Sequence, residues 1–262
     1  MKLNIVPAKQ GLVWVKLGIR TFWRQPLAFT GLFFLFMAWV SVLSLVPIIG
    51  SVIALFILPA ATLGLMVATE QAASGKFPMP TVLMVAFRAG QQRLKAMLVL
   101  GVLYALSFLA VMALTTLVDG GSFAKVYLAN APITPEVVEA ADFQMAIWLS
   151  TVLYIPMSMM FWHAPALVHW HGIPPVKSMF FSVVACWRNL GAFAVYLLAW
   201  AAVFVAGAAI ILTLSSAVGG SDLTAAVLMP GALLMSAMFF TSVYFSVKDC
   251  FDLPSPGSEI QA

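Results

Sequence analysis

"AMLVLGVLYALSFLAVMALTTLV", Ala96 to Val118, runs for 23 residues without one acidic or basic side chain. A helix rises about 1.5 Å per residue, so this run reaches roughly 35 Å, enough to cross about 30 Å of hydrocarbon. In that medium every backbone N–H and C=O must be bonded internally, and an unbroken apolar run lacks the polar alternation of a barrel strand. The stretch therefore predicts a transmembrane α-helix. Working outward, five further runs meet the same length: roughly 26 to 46, 48 to 69, 144 to 168, 190 to 214 and 223 to 247.

Composition agrees. The 262 residues are 63% hydrophobic and 8% charged, far from the roughly 25% charged residues of a soluble domain, and the mean hydropathy is +1.05. The fold class expected is an all-α polytopic membrane protein with six spans in a single membrane domain, 1–262. The first apolar run begins after some 25 residues and no A-x-A site follows it, so no cleaved signal peptide is read. Neither a Met-Gly start nor a C-a-a-X end is present.

Orientation follows from the basic residues of short loops, which resist translocation. Lys2, Lys9, Lys16, Arg20 and Arg24 precede the first span; Lys76, Arg88, Arg93 and Lys95 fall between spans 2 and 3; Lys177 and Arg188 between spans 4 and 5; Lys248 in the tail. That is 12 of the 13 cations on one side, with Lys125 alone on the other. Both termini are expected to be cytoplasmic. The outer loops hold Asp119, Glu136, Glu139, Asp142 and Asp222 against Lys125, a net of −4, while Glu70, Asp249, Asp252 and Glu259 leave the inner side at +8. Topology alone demands such a bias, and attraction to anionic lipid would add to it. No basic patch calls for nucleic acid. Cys186 and Cys250 both fall on the inner side, where thiols stay reduced, so no disulfide is expected.

Each pair of spans follows a segment mixing basic and apolar residues. In 9 to 24, Lys9, Lys16, Arg20 and Arg24 share one helical stripe beside Leu12, Val15, Ile19, Phe22 and Trp23, which predicts a helix lying in the membrane interface. "PTVLMVAFRAGQQRLK", 80 to 95, and "PVKSMFFSVVACWRN", 175 to 189, have the same character. Pro59 precedes Gly75 by 16 residues and Pro156 precedes Gly172 by the same 16; Pro230 holds the matching place in the sixth span. "WRQPLAF", Trp23 to Phe29, returns as "WRNLGAF", Trp187 to Phe193. The reading is a threefold parallel repeat of interfacial helix and hairpin, with units of about 9–79, 80–174 and 175–251 and a tail 252–262. The longer outer loop, 119 to 142, predicts a short helix capped by Thr134.

Small residues let helices approach in lipid. Ala54, Ala61, Gly64 and Ala68 in the second span, and Ala199, Ala202, Ala206 and Ala209 in the fifth, predict faces buried within the chain. The three prolines predict kinks.

No Asp, Glu, Lys or Arg stands in the middle of a span, which speaks against a proton-coupled carrier. Glu70 and His163 read as interfacial polar residues near the inner ends of spans 2 and 4. "MSMMFWHAPALVHWHG" gathers Met157, Met160, His163, His169 and His171, soft ligands that would suit Cu(I), but no spacing in it matches a zinc signature. H-E-x-x-H, G-x-S-x-G, P-loop and Rossmann patterns are all missing, so no enzyme and no cofactor are expected.

"PAKQGLVWVKLGIRTFWRQPLAF" and "APALVHWHGIPPVKSMFFSVVACWRNLGAF" resemble an uncharacterised family of small six-span inner-membrane proteins of proteobacteria, chiefly the beta group. The resemblance implies a bacterial cytoplasmic membrane and carries over no functional residue. A fainter likeness, confined to the interfacial-helix-and-hairpin pattern, is to the membrane domain attached to some glycerophosphodiester phosphodiesterases. The function expected is non-enzymatic: a protein that interacts with lipid or serves an envelope complex as an accessory subunit beside a membrane-protein partner. The alternatives are a small transporter or channel for an apolar or zwitterionic solute and, behind it, copper handling. The residues expected at the anionic membrane interface are Trp23, Arg24, Arg88, Arg93, Lys95, Trp187 and Arg188.

Overall fold

The computed structural model describes residues 2–218 and 221–253, the side chains of 216–225 excepted. Asp222 as a side chain, and the tail from 254 with Glu259, lie outside them. The described residues form α-helices and one 3-10 turn, with a single antiparallel bridge between Leu3 and Phe251. Helix α1 is Gln10–Arg24, α2 Pro26–Ser44 and α3 Ile49–Ala73; after a 3-10 turn at Pro80–Met84 come α4, Val85–Arg88, and α5, Gln91–Asp119. Then follow α6, Ser122–Ala129; α7, Pro135–Glu139; α8, Ala141–Phe161; α9, Ala164–His171; α10, Pro175–Arg188; α11, Leu190–Val218; and α12, Ser221–Cys250.

Among the described residues six segments are long and apolar enough to cross a membrane: α2, α3, α5, α8 with α9, Leu190–Ser215 of α11 and Ala226–Cys250 of α12. They coincide with the six apolar runs. Pro59, Pro156 and Pro230 all lie inside helices. Gly75 and Gly172, 16 residues after the first two of these prolines, follow helix ends with positive φ of 80° and 63°; each amide bonds back into the last turn of the preceding helix.

The chain divides into two compact units. The first collects Met1–Leu35, Gly64–Leu83 and Ala185–Ala262, and the second Phe36–Leu63 and Met84–Val184. Every boundary falls inside a helical element.

In the first unit α1 packs against α11 and α12. Its inner face is Gly11, Trp14, Val15, Gly18 and Phe22, while Leu12 and Trp23, expected on the apolar face, are exposed. Two glycines seven residues apart explain the shift. A methyl on Gly11 would overlap the Ala192 carbonyl, and one on Gly18 would overlap Ser242, so the helices cross with their backbones nearly touching. Trp14 then lies against Phe193 and Tyr196, with ring centroids at 5.3 and 5.8 Å.

The small-residue stripes behave differently from one another. Ala61, Gly64 and Ala68 of α3 are buried as expected. Ala202, Ala206 and Ala209 of α11 are exposed, which corrects the expectation of a buried face. Helix α11 instead meets its neighbours through Ala192, Phe193, Tyr196 and Trp200, and farther along through Gly207, which faces Met235 of α12.

The segment 80–95, which belongs to the second unit from Met84 on, is not one amphipathic helix. It breaks at Gly90, whose φ of 87° a side chain would resist, so Arg93 and Lys95 belong to the first turns of α5. The loop after α5 holds α6 as well as the expected short helix. The Asp119 carboxylate accepts the Gly121 and Phe123 amides at 2.9 and 2.6 Å and so starts α6. Helix α6 clasps the α2–α3 turn: the Leu128 carbonyl accepts from the Ile48 amide at 2.8 Å and the Ser51 hydroxyl at 3.1 Å, and Asn130 donates to the Ser44 carbonyl at 2.7 Å. Thr134 does occupy the N-cap of α7, but its side chain caps no backbone amide. It bonds the Glu136 carboxyl instead and holds it below the usual carboxylate range.

Candidate functional site

The residues expected at the interface fall at three places. Trp23 and Arg24 end α1, with Trp23 63% exposed; Trp187 and Arg188 end α10, with Trp187 70% exposed. Both pairs belong to the first unit. Gly191 stands beside Ala8, which puts Arg188 near the N-terminal end of α1, whereas Arg24 closes its other end. Fifteen residues at about 1.5 Å each separate those ends by about 22 Å, so the two arginines do not share a site.

The third letter of the repeated motif does what the first two do not. Asn189, after Trp187-Arg188, is 2% exposed and fully engaged. Its Oδ1 accepts the Val6 amide at 2.8 Å, and its Nδ2 donates to the Asn4 and Ala185 carbonyls at 3.1 and 3.0 Å. The Asn4 amide in turn donates to the Cys250 carbonyl at 2.9 Å. Asp249 accepts from Gln10 at 2.6 Å and from the Trp14 indole at 2.8 Å, both on one carboxylate oxygen. This knot ties the chain's start to the ends of α10 and α12. Gln25, the matching letter after Trp23-Arg24, donates to the Lys76 carbonyl at 3.2 Å. The motif is thus an exposed aromatic and cation followed by a hydrogen-bonded amide, buried at Asn189 and half-buried at Gln25.

Deeper in the first unit, Ser242 ties α12 to α11. Its hydroxyl donates to the Phe239 carbonyl at 2.6 Å, lies 2.6 Å from the Tyr196 hydroxyl and accepts the Trp200 indole at 3.1 Å. These are polar groups in the midst of apolar helices, and each has its partner.

Arg88, Arg93 and Lys95 fall in the second unit. Arg88 is exposed in the last turn of α4. Arg93 and Lys95 line a groove of about 470 Å³, where Gln92, Arg93, Lys95 and Val99 of α5 face Val168 of α9 and Ile173 of the link to α10. Gln92, Lys95 and Val99 fall on one stripe at spacings of 3 and 4, with Arg93 on its border. A second, apolar groove of about 240 Å³ runs between α2, α3, α5 and α6, past Phe36, Leu55, Phe108 and Tyr127.

His163, expected at the interface, is wholly buried between α8 and α9. Pro165 supplies no N–H to the preceding turn, so the helix opens there, and Ser182 of α10 fills the opening. His169 is also buried, and Met157 is 2% exposed. Among the described residues no group of three His, Cys, Asp or Glu side chains is placed to hold a metal ion. Neither cysteine is in a disulfide and both are buried; burial pushes the Cys186 thiol up from its ordinary value. Asn189, Asp249, Ser182 and Ser242 were not singled out in the sequence. A signal existed for Asn189, the third letter of the repeated Trp-Arg motif. Ser182 and Ser242 are ordinary serines in apolar surroundings.

Helices of this length and hydropathy, with no strand among the described residues, define a polytopic integral membrane protein. Over 261 residues the chain is 40% identical to a protein of Burkholderia thailandensis named a probable inner membrane protein, a match covering 98% of this chain and 97% of the other. It belongs to that family of inner-membrane proteins. No family model matches the sequence and no solved structure matches it, so the fainter likeness to the phosphodiesterase-attached domain gains no support.

Proposed function

We propose that this protein is a non-enzymatic, six-span component of the bacterial cytoplasmic membrane, with both termini inside, that engages anionic lipid through the basic residues at the inner ends of its spans. The observation that carries the reading is the exposure of the paired residues Trp23-Arg24 and Trp187-Arg188 at helix ends, each followed by an amide side chain, half-buried Gln25 and buried Asn189, whose hydrogen bonds fix where they project. An indole at headgroup depth beside a guanidinium is what a phosphate-rich interface favours. The 12-to-1 distribution of cations in the sequence supports a cytoplasmic-leaflet position for these pairs, where anionic lipid attracts them.

Native mass spectrometry of the purified protein with cardiolipin tests the reading. The combined Arg24→Gln, Arg88→Gln, Arg93→Gln and Arg188→Gln variant is expected to bind at least tenfold more weakly than the parent. Equal binding would remove the proposal. Fluorescent-protein and alkaline-phosphatase fusions at the C-terminus test the orientation: fluorescence without phosphatase activity is expected.

A further inference from the structure

We propose that the groove between the start of α5 and the α9–α10 link seats the headgroup of one anionic phospholipid, its phosphate between Arg93 and Lys95 and the root of its acyl chain against Val99 and Ile173. The proposal rests on the lipid-binding reading above and sharpens it from a diffuse attraction to a single site. Three observations carry it. The groove's volume of about 470 Å³ falls in the range that buries small ligands, about 300–1,000 Å³, and is more than a bare phosphate fills. Its polar lining comes from Gln92, Arg93 and Lys95, two cations and a neutral amide with no carboxylate, so the charge it complements is negative. Its remaining walls are apolar, and Val99 lies one turn into the run that spans the membrane. A phosphate above and hydrocarbon below is the polarity of a phospholipid at the end of a span.

The break at Gly90 explains why the site is there. Had 80–95 continued as one helix in the membrane plane, Arg93 and Lys95 would extend that helix rather than border the start of a span. With α5 beginning at Gln91, they stand in its first two turns, opposite the turn that Gly172 closes with a φ of 63°. The α9–α10 link, Ile173 with Pro174, and Pro175 at the start of α10 form the facing wall without side-chain charge.

The test is native mass spectrometry of the full chain with phosphatidylglycerol, using three variants. Arg93→Gln with Lys95→Gln removes the charge. Gln92→Trp, at an exposed lining position, fills the groove and leaves charge unchanged. Arg24→Gln with Arg88→Gln and Arg188→Gln removes charge elsewhere. In the parent one phosphatidylglycerol per chain is expected to stay bound while others exchange; the first two variants are expected to bind that one roughly tenfold to thirtyfold more weakly, and the third to lose only the more weakly held lipids. If the first two variants keep that lipid while the third loses it, the groove is not the site and the broader reading stands. If all three bind as the parent does, both fall. Displacement of the lipid by millimolar glycerol 3-phosphate would show a soluble anion as the occupant and overturn the assignment to lipid.

Discussion

The Ser182 hydroxyl accepts the His163 amide at 2.9 Å and donates to the Met159 carbonyl at 2.6 Å. In an uninterrupted helix those two backbone groups would bond each other, since His163 follows Met159 by four residues. A side chain from α10 has therefore been spliced into the backbone ladder where α8 gives way to α9. The fourth span changes direction with both of these backbone groups still bonded, and an orphaned one in an apolar interior is what a membrane protein cannot tolerate cheaply.

Replacing Ser182 by Ala leaves the His163 N–H and the Met159 C=O facing a methyl group. An orphaned buried backbone group costs about 1–3 kcal/mol, and for a chain of this size each kcal/mol lowers the midpoint by about 2–4 °C. Thermal unfolding in detergent should show a drop of that order for Ser182→Ala. It should show much less for Ser178→Ala, whose hydroxyl only returns to its own helix at the Pro175 carbonyl. Equal effects of the two substitutions would contradict the splice.

Asn189 holds the N-terminal segment from both sides, accepting from Val6 and donating to Asn4. Asn189→Ala should release residues 3–7 while α10 and α11 persist. Hydrogen exchange is expected to quicken at the Asn4 and Val6 amides, and protease should reach the segment sooner. Asp249→Ala should do the same more mildly, because Gln10 and Trp14 lie on α1, which keeps its glycine seam. Unchanged exchange at Val6 in the Asn189 variant would show that the knot is incidental.

Gly18 and Gly31 separate the two roles a helical glycine can have. A Cβ on Gly18 would overlap the Ser242 Cβ, whereas one on Gly31 meets nothing within 4 Å. Gly18→Ala should destabilise by about 1–3 kcal/mol through forced separation of α1 from α12. Gly31→Ala should be neutral or stabilising by up to about 1 kcal/mol from helix propensity. Denaturation of the two variants in mixed micelles distinguishes them, and a Gly18→Ala protein as stable as the parent would count against the close crossing.

What the sequence carried, it carried through period and length. Six apolar runs became six spanning segments, and the basic stripe of 9–24 became α1, because a span is decided by local composition and a water-facing stripe by spacing. The pattern of 80–95 misled because one residue, Gly90, ends the helix regardless of the amphipathicity around it. The alanine stripe of α11 misled in another way: small residues permit close packing but do not select a partner, and here Tyr196 and Trp200 took the seam. Of the candidate site, Arg93 and Lys95 were visible as charge, but their groove depends on where the α9–α10 link lies. Ser182, Ser242 and Asp249 matter only through partners distant in sequence, which a local pattern does not encode.

Cys186 and Cys250 offer a last measurement, because both are reduced and hidden, 4% and 0% exposed. Burial pushes the Cys186 thiol up, and only the thiolate attacks a maleimide. In the folded protein at pH 7–8 labelling should be slow at both positions, and fast once the chain is unfolded in dodecyl sulfate. The sign for stability follows from the same shift. A thiol whose folded value is raised binds its proton more tightly in the native state, so its contribution is complete below the unfolded value of about 8.5 and is lost as pH rises above it. The thermal midpoint should therefore fall between about pH 8.5 and 10.5, and fall less in Cys186→Ala, which has no thiol to ionise. Prompt native labelling at pH 7.5, or an identical alkaline slope in parent and variant, would show that Cys186 is not buried as the structure has it.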